Sequence, residues 1–220
     1  MMVCEQLMVS AEKTKKTPTV LLYSNATAHD MHDIGLAETL RHANVSFSKC
    51  NSSGPTSSLV INDTTITSEC AMMRAASKLA RTYPRDIEDA GVIDEWVDMH
   101  ESFMQPIRAV LNPSAETTRD WVSKVHIPKF LELLEEEIGN RGWIGGMDRL
   151  SMADIRWFKT LEWLSKNKEG FCFDLATFPN LRAYCDDITE LMNREEFELF
   201  ELESSDKESD AEDNGHSKCD

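Results

Sequence analysis

A serine and an aspartate three positions apart could do acid–base chemistry or could hold a helix in place. Ser151 and Asp154 lie between a glycine-containing turn and an unusually apolar run of residues. The Ser151 hydroxyl can accept the backbone N–H three residues on, and the Asp154 carboxylate can reach back to the N–H of Ser151. We therefore interpret Asp154 as the structural cap of a central core helix, with a catalytic acid as the alternative.

A histidine pair and a single cysteine offer two further kinds of chemistry. His29 and His32 are spaced i, i+3 beside Asp30 and Asp33, which suits a metal ligand set but is also common at a polar helix start, so we expect no metal. Cys70 lies one turn into a predicted helix, where the helix dipole lowers a thiol pKa. Burial as a small apolar residue is the favoured interpretation. The six cysteines show no C-x-x-C pair or zinc spacing, which indicates reduced thiols in a cytosol.

The charge of the chain excludes some partners. The 220 residues include 39 acidic and 23 basic side chains, a net charge of -16, so nucleic acid and anionic membrane surfaces are not expected partners. No run of residues approaches the length of a membrane span. Residues 1–17 are predicted to form a flexible leader, and 201–220 a disordered acidic tail. A solvated tail is the favoured interpretation, and a partner-binding tail is the alternative.

The elements that must position these groups differ between the two parts of the chain. Residues 18–83 read as β-α-β and then β-β-α, which asks for a parallel strand pair followed by an antiparallel hairpin. The expected strands are 19–23, 45–47, 59–61 and 64–67, and the expected helices are 30–42 and 68–80. A loop-like composition between 47 and 59 leaves little room for another helix.

Residues 86–200 are predicted to be entirely helical. One long amphipathic helix begins near residue 86, and Pro106 is expected to kink it or to end its regular part. A second begins at Ser114 and ends near Gly139, with Pro128 interrupting it. The capping box opens the helix 151–166, and Pro179 begins a last one.

Four motifs in this order carry a resemblance that covers residues 18–200. They are Leu22-Tyr23 at the end of the first strand, Thr67-Ser68-Glu69-Cys70-Ala71-Met72, the Leu-Ser-x-Ala-Asp-Ile box, and Phe178-Pro179-Asn180-Leu181. The chain resembles the cytosolic glutathione S-transferases, and its Arg74-x-x-Ser-Lys-Leu-Ala-Arg-Thr-Tyr-Pro stretch resembles their sigma-like, tyrosine-type branch. The implied fold class is α/β plus all-α: a thioredoxin-like N-terminal domain with a helical C-terminal domain, the glutathione transferase fold.

The resemblance assigns a catalytic role to Tyr23. In that family a hydroxyl at the end of the first strand hydrogen-bonds the glutathione sulfur and favours the nucleophilic thiolate. Tyr23 matches that position, and Ser24 is the neighbouring hydroxyl. The alternative is a core tyrosine that ends a strand.

The resemblance also assigns glutathione-binding positions that depart from the family pattern. Ser57 and Ser58 stand where the family has a cis-proline before its third strand, and we expect Ser57 to be trans because a non-proline cis bond costs about 2.5–4 kcal/mol. Ser68 and Glu69 replace the Glu or Gln followed by Ser that holds the γ-glutamyl carboxylate. Ser68 could still donate a hydrogen bond, whereas Glu69 would repel that carboxylate. Lys49 is the candidate partner of the glycyl carboxylate.

Two functions of different classes follow. The first is an enzyme: a cytoplasmic homodimer that conjugates glutathione to small apolar electrophiles in detoxification, with glutathione as co-substrate and no cofactor or metal. The alternative is a non-catalytic glutathione transferase-fold scaffold or binding protein.

Overall fold

A computed structural model of the chain describes residues 19–24, 35–42, 47–51, 57–111, 119–166, 171 and 174–193. Its elements follow the expected order, with a small sheet and two helices first and helices alone afterwards. The predicted leader, the acidic tail and the His29–His32 pair lie outside the described residues.

Within the described residues, the sheet has four strands in the order β2-β1-β3-β4. They are β1 (Val20–Ser24), β2 (Phe47–Asn51), β3 (Ser58–Ile61) and β4 (Thr64–Ile66). β1 and β2 are parallel, while β1–β3 and β3–β4 are antiparallel. The mixed sheet predicted from the alternation of elements is therefore confirmed.

The second strand differs from its predicted position. The alternation at 45–47 suggested a strand there, but β2 extends from Phe47 to Asn51. The polar residues Ser48 and Asn51 drew the sequence prediction away from this segment, although parallel pairing with β1 decides where the strand lies. Residues 52–56, between β2 and β3, are outside the described part of the chain.

Two helices pack beside the sheet. They are α1 (Leu36–His42) and α2 (Glu69–Ala80), and they contact each other. Their inward side chains join buried residues of β1 and β3 in one apolar core: Val20, Leu22, Leu36, Leu40, Leu59, Met72, Met73 and Ala76. The 3.6-residue spacing predicted for α2 is thus confirmed by which of its side chains are buried.

The rest of the described chain is helical. It contains α3 (Ile87–Leu111), α4 (Arg119–Trp121), a π-helical segment (Val122–His126), α5 (Ile127–Arg141), α6 (Met152–Lys166) and α7 (179–193). Of the described helices, none has both the length and the apolar character that crossing a membrane would require.

Neither internal proline ends its helix. Pro106 lies inside α3, which continues to Leu111. Pro128 is near the start of α5, directly after the π-helical segment, where the Ile127 N–H donates to the carbonyl of Val122 five residues earlier. The wider turn carries the chain past a residue that has no N–H to donate. The interruption predicted at Pro128 is therefore a local change of helix type.

The capping box at the start of α6 is confirmed. The backbone N–H of Ser151 donates to Asp154 Oδ2 at 2.8 Å, and the N–H of Asp154 donates to Ser151 Oγ at 3.3 Å. Asp154 also accepts hydrogen bonds from the N–H of Ile144 at 2.9 Å and from the hydroxyl of Tyr184 at 2.8 Å. One buried carboxylate thus joins the turn, α6 and α7.

Candidate functional site

The end of β1 brings three of the predicted site residues together. Tyr23 is half-buried and pairs with Ser58 of β3 on one side and Cys50 of β2 on the other. Ser57, which is buried, directly precedes Ser58. Because β3 is antiparallel to β1, the beginning of β3 lies beside the end of β1. Tyr23, Ser57 and Ser58 therefore share one end of the sheet.

The beginning of α2 lies at the same end. β4 is antiparallel to β3, and its last residue, Ile66, pairs with Leu59. The chain then enters α2 through Ser68, its N-cap residue. The Ser68 side chain is exposed and makes no capping hydrogen bond. Its hydroxyl is thus available at the helix terminus, where unpaired N–H groups favour a carboxylate.

Lys49 belongs to the same sheet through its backbone. It lies in β2 and pairs with Leu22, one position before Tyr23. Its side chain and that of Ser24 are outside what the structure describes. Among the described residues, the peptide bonds are all trans. The glutathione-contacting roles of Tyr23, Lys49, Ser57 and Ser58 stay predictions.

Glu69 takes part in an ion-pair cluster that joins three helices. Its carboxylate accepts hydrogen bonds from Arg108 of α3, at 3.1 and 3.3 Å, and from Arg156 of α6. Glu101 of α3 binds the same two arginines, with Arg108 Nη1 at 2.9 Å from its Oε2. Two carboxylates and two guanidinium groups balance, so this cluster, Glu69–Glu101–Arg108–Arg156, is electrically neutral.

A buried histidine extends the cluster into the core. Arg156 Nε donates to His100 Nδ1 at 2.9 Å, so Nε2 carries the ring proton and donates to Thr160 Oγ1 at 2.7 Å. Arg156, His100 and Thr160 are all fully buried. Burial lowers the pKa of His100 to about 3. The ring is therefore neutral at physiological pH.

The arginines of the cluster also determine the ionisation state of Glu101. Burial opposes its ionisation, but the hydrogen bond from Arg108 and the charges of Arg156 and Arg108 hold its pKa well below the usual range. Glu101 is therefore ionised at physiological pH. The repulsion predicted between Glu69 and a bound carboxylate is offset by this cluster, because both arginines lie against the Glu69 side chain.

The sequence analysis identified Glu69 but missed its partners. Arg156 is 87 positions from Glu69, and Glu101 lies on a third helix. No spacing rule connects such residues. One signal was available: Arg156 is a charged residue between two large apolar residues, Ile155 and Trp157, in a helix predicted to lie in the core. A charge that faces a core requires partners.

The structure bears on the cysteine hypothesis, whereas the His29–His32 pair of the metal hypothesis lies outside its described residues. Cys70 is half-buried, and burial raises the pKa of its thiol. This favours the interpretation of Cys70 as a packing residue over an activated thiolate. Across the described ranges, no group of three or more His, Cys, Asp or Glu side chains could hold a metal ion.

Comparison with known proteins identifies the fold. Residues 97–197 match the family described as the glutathione S-transferase C-terminal domain. A search of curated protein sequences finds no significant match.

Solved structures are similar over most of the chain. Prostaglandin synthase D of Nilaparvata lugens is 17% identical to this chain, and the two superpose with a TM-score of 0.67. The match covers 79% of this chain and 93% of the synthase chain. A glutathione transferase from Methylococcus capsulatus shares 17% identity over 81% and 100% of the two chains, with a TM-score of 0.65. The theta class glutathione S-transferase from Xanthomonas axonopodis pv. citri, with glutathione bound, shares 15% identity over 78% and 92%, with a TM-score of 0.62. The chain therefore has the glutathione transferase fold.

Proposed function

We propose that this chain is a glutathione S-transferase that conjugates the thiolate of glutathione to small electrophiles. The observation that carries the proposal is the meeting of Tyr23, Ser57, Ser58 and Ser68 at one end of the sheet. That meeting occurs in a fold whose solved examples include a transferase with glutathione bound.

The chemical step requires a hydroxyl beside the glutathione sulfur. Tyr23 supplies a phenol at the end of β1, and among the described residues its hydroxyl has no hydrogen-bond partner. A phenol that donates to the sulfur stabilises the thiolate more than the thiol, which lowers the thiol pKa. The thiol proton leaves to solvent, the sulfur forms a bond to the electrophilic carbon, and the leaving group departs with its electron pair.

The peptide part of glutathione would lie along the remaining groups at the sheet end. The backbone at Ser57 and Ser58 would pair with the cysteinyl residue, and Lys49 would bind the glycyl carboxylate. The γ-glutamyl carboxylate would bind at the beginning of α2, where Ser68 offers a hydroxyl. The charge of Glu69 does not prevent this, because Arg108 and Arg156 compensate it.

The finer expectations belong to the same proposal. The stretch from Arg74 to Pro84 supports a sigma-like, tyrosine-type class. In the structure Arg74 and Tyr83 of this stretch bind the two oxygens of Asp94, at 2.8 and 3.0 Å. We further propose that the electrophile is apolar, and that the protein is a cytoplasmic homodimer with a role in detoxification.

A second candidate is a non-catalytic binding protein with this fold. The observation that favours it is the short connection between β2 and β3, which has six residues, 52–57. Such a protein would lack turnover, whether or not it binds glutathione.

Retention of the full chain on immobilised glutathione tests the binding step. We expect retention, elution by free glutathione, and a loss of affinity on the order of fivefold in Ser68→Ala, since one hydrogen bond is removed. Ser102→Ala, which changes an exposed serine on α3, is the matched control and should be retained like the unmodified chain. A chain that flows through the column would contradict the proposal, and so would equal effects of the two variants.

A further inference from the structure

A cavity lined by basic side chains lies at the far end of α2 from the sheet-end site. Its volume is about 870 Å³, within the range of small-molecule sites. It is bounded by Lys78, Arg81, Tyr83, Pro84, Arg85, Asp86, Ile87, Ala90 and Arg149. The 12 residues of α2 place about 17 Å between its two ends. The cavity is therefore separate from the proposed glutathione site.

Four cations of this cavity have no acidic partner among the described residues. Lys78, Arg81, Arg85 and Arg149 are exposed and form no salt bridge within that part of the chain. The one carboxylate of the lining, Asp86, accepts the backbone N–H groups at the beginning of α3, with Oδ1 at 2.8 Å from the nitrogen of Glu88. A chain with a net charge of -16 thus places four cations and one carboxylate in the lining of this cavity, and the net positive charge of the lining attracts an anion.

Arg81 adopts a backbone conformation that is unfavourable for a residue with a side chain. Arg81 ends α2 with φ = 58°, the left-handed conformation that glycine adopts most readily at this position. The N–H groups of Thr82 and Tyr83 both donate to the carbonyl of Ser77, which completes the helix end. An arginine at a glycine position is an outlier that points to a role for the side chain.

The remaining walls of the cavity are apolar and partly fixed. The Tyr83 hydroxyl is held by Asp94, and the Lys78 ammonium lies 5.3 Å from the centre of the Tyr83 ring. Ile87, at the beginning of α3, is 85% exposed, the most exposed large apolar side chain among those described. An apolar group beside a basic cluster suits a ligand that has both an anionic and an apolar part.

We propose that this cavity binds a phosphomonoester of an aromatic or apolar group. The guanidinium groups of Arg81, Arg85 and Arg149 match the geometry of phosphate oxygens. A phosphate dianion satisfies four cations better than a single carboxylate charge does. The apolar group lies against Ile87 and the ring of Tyr83. This binding is independent of glutathione conjugation.

Calorimetric titration of the full chain with phenyl phosphate at low salt tests the proposal. We expect saturable binding at one site per chain, weakened at least about tenfold in Arg81→Gly because a charge-assisted hydrogen bond is lost. Glycine relieves the left-handed backbone at this position, so the variant keeps its fold, which thermal melting checks. Arg182→Ala, an exposed arginine on α7, is the control and should bind within twofold of the unmodified chain. Absence of saturable binding would overturn the proposal, as would equal weakening in both variants.

Two further titrations test the ligand class. Inorganic phosphate should bind more weakly than phenyl phosphate, and Ile87→Ser should reduce phenyl phosphate binding toward the level of inorganic phosphate. Benzoate, which has the ring but one charge, should bind at least about tenfold more weakly than phenyl phosphate. Equal binding of benzoate would assign the cavity to carboxylates and overturn the phosphomonoester proposal.

Discussion

Asp154 shows how much one buried carboxylate can hold together. Besides the two backbone N–H groups of Ile144 and Ser151, it accepts the hydroxyls of Ser151 and Tyr184. Burial raises its pKa, while the hydrogen bonds oppose that shift. Its position in the first turn of α6, fully buried, fits a structural cap and leaves no opening for a substrate.

Replacement of Asp154 by alanine should therefore cost more than an ordinary cap. Asp154→Ala leaves several buried donors without an acceptor, and we expect a loss of at least about 3 kcal/mol in the free energy of unfolding. Asp148→Ala, an exposed carboxylate in the same turn, is the control. Equilibrium denaturation measures both, and similar values for the two would contradict the assignment of Asp154.

His100 should make the stability of the fold depend on pH. In the unfolded chain its ring gains a proton near pH 6.5, but in the folded chain burial lowers that pKa to about 3. Between these values the unfolded chain holds one more proton, so stability falls as the pH drops below 6.5, by up to about 1.4 kcal/mol per pH unit. Glu101 adds a loss only below about pH 4.5, the ordinary carboxyl range.

Denaturant unfolding between pH 7 and pH 5 isolates the histidine contribution. His100→Gln keeps a polar side chain but cannot gain a proton, so its stability should change less over this interval than that of the unmodified chain. Identical pH dependence in the two chains would show that His100 does not titrate with folding.

At the scale of single residues, local spacing decided what the sequence could predict. The Ser151–Asp154 box acts over three positions, so it was recognisable. The contacts of Arg156 with Glu69 and Glu101 join residues 87 and 55 positions apart, and they exist only because α2, α3 and α6 meet. Without the fold, no pattern indicates which acid pairs with which arginine.

Among the helices, the cluster Glu69–Glu101–Arg108–Arg156 is one of the connections between the sheet part and the helical part of the chain. Its Glu69 belongs to α2, and its other members belong to α3 and α6. Arg156 is fully buried, whereas the Glu69 and Glu101 side chains are 14% and 29% exposed. Removal of the arginine from this position leaves two partly buried carboxylates beside a single guanidinium group of the cluster, that of Arg108.

We expect Arg156→Met to lower the free energy of unfolding by about 3–5 kcal/mol, as for other broken buried ion pairs. Arg74→Met is the comparison, since the Arg74–Asp94 pair is about one-third exposed on each side. Its loss should be below about 1 kcal/mol. Comparable losses for the two variants in urea denaturation would mean that the cluster contributes no more than a surface pair.

Helices and strands were predictable where their side-chain period was clear. The burial pattern of α2 follows its apolar spacing, and the long α3 was expected as one helix. The errors fell where tertiary structure overrode local chemistry. The helix α3 continues past Pro106 because packing supports it, and a π-helical turn precedes Pro128. The strand β2 includes polar residues because it pairs with β1.

For the molecule as a whole, residues 201–220 differ in composition from the rest of the chain, because they are mostly acidic or polar. Cutting the chain after Phe200 should leave its melting temperature unchanged, because the apolar core of the described chain lies within residues 20–188 and the removed residues are mostly acidic or polar. A scan of the shortened and full chains by calorimetry checks this. A drop in melting temperature would show that residues 201–220 pack on the body.

The order of elements indicated the fold, because a β-α-β and β-β-α part followed by helices leaves few arrangements. The candidate site could be predicted only in part. Its position at the end of β1 follows from the topology, whereas the compensation of Glu69 by two arginines required the packed helices.

The most direct measurement of the central claim is the conjugation of glutathione to chlorodinitrobenzene by the unmodified chain and by Tyr23→Phe across neutral pH. The phenylalanine keeps the ring and its packing but removes the donor. We predict that the unmodified chain conjugates, and that the variant does so about tenfold more slowly or worse, because one unit of thiol pKa corresponds to a factor of ten in thiolate. The midpoint of the pH–rate curve should move upward while glutathione affinity changes much less. An unmodified chain that does not conjugate, or a variant that conjugates equally well, would contradict the assignment of Tyr23 as the activating hydroxyl.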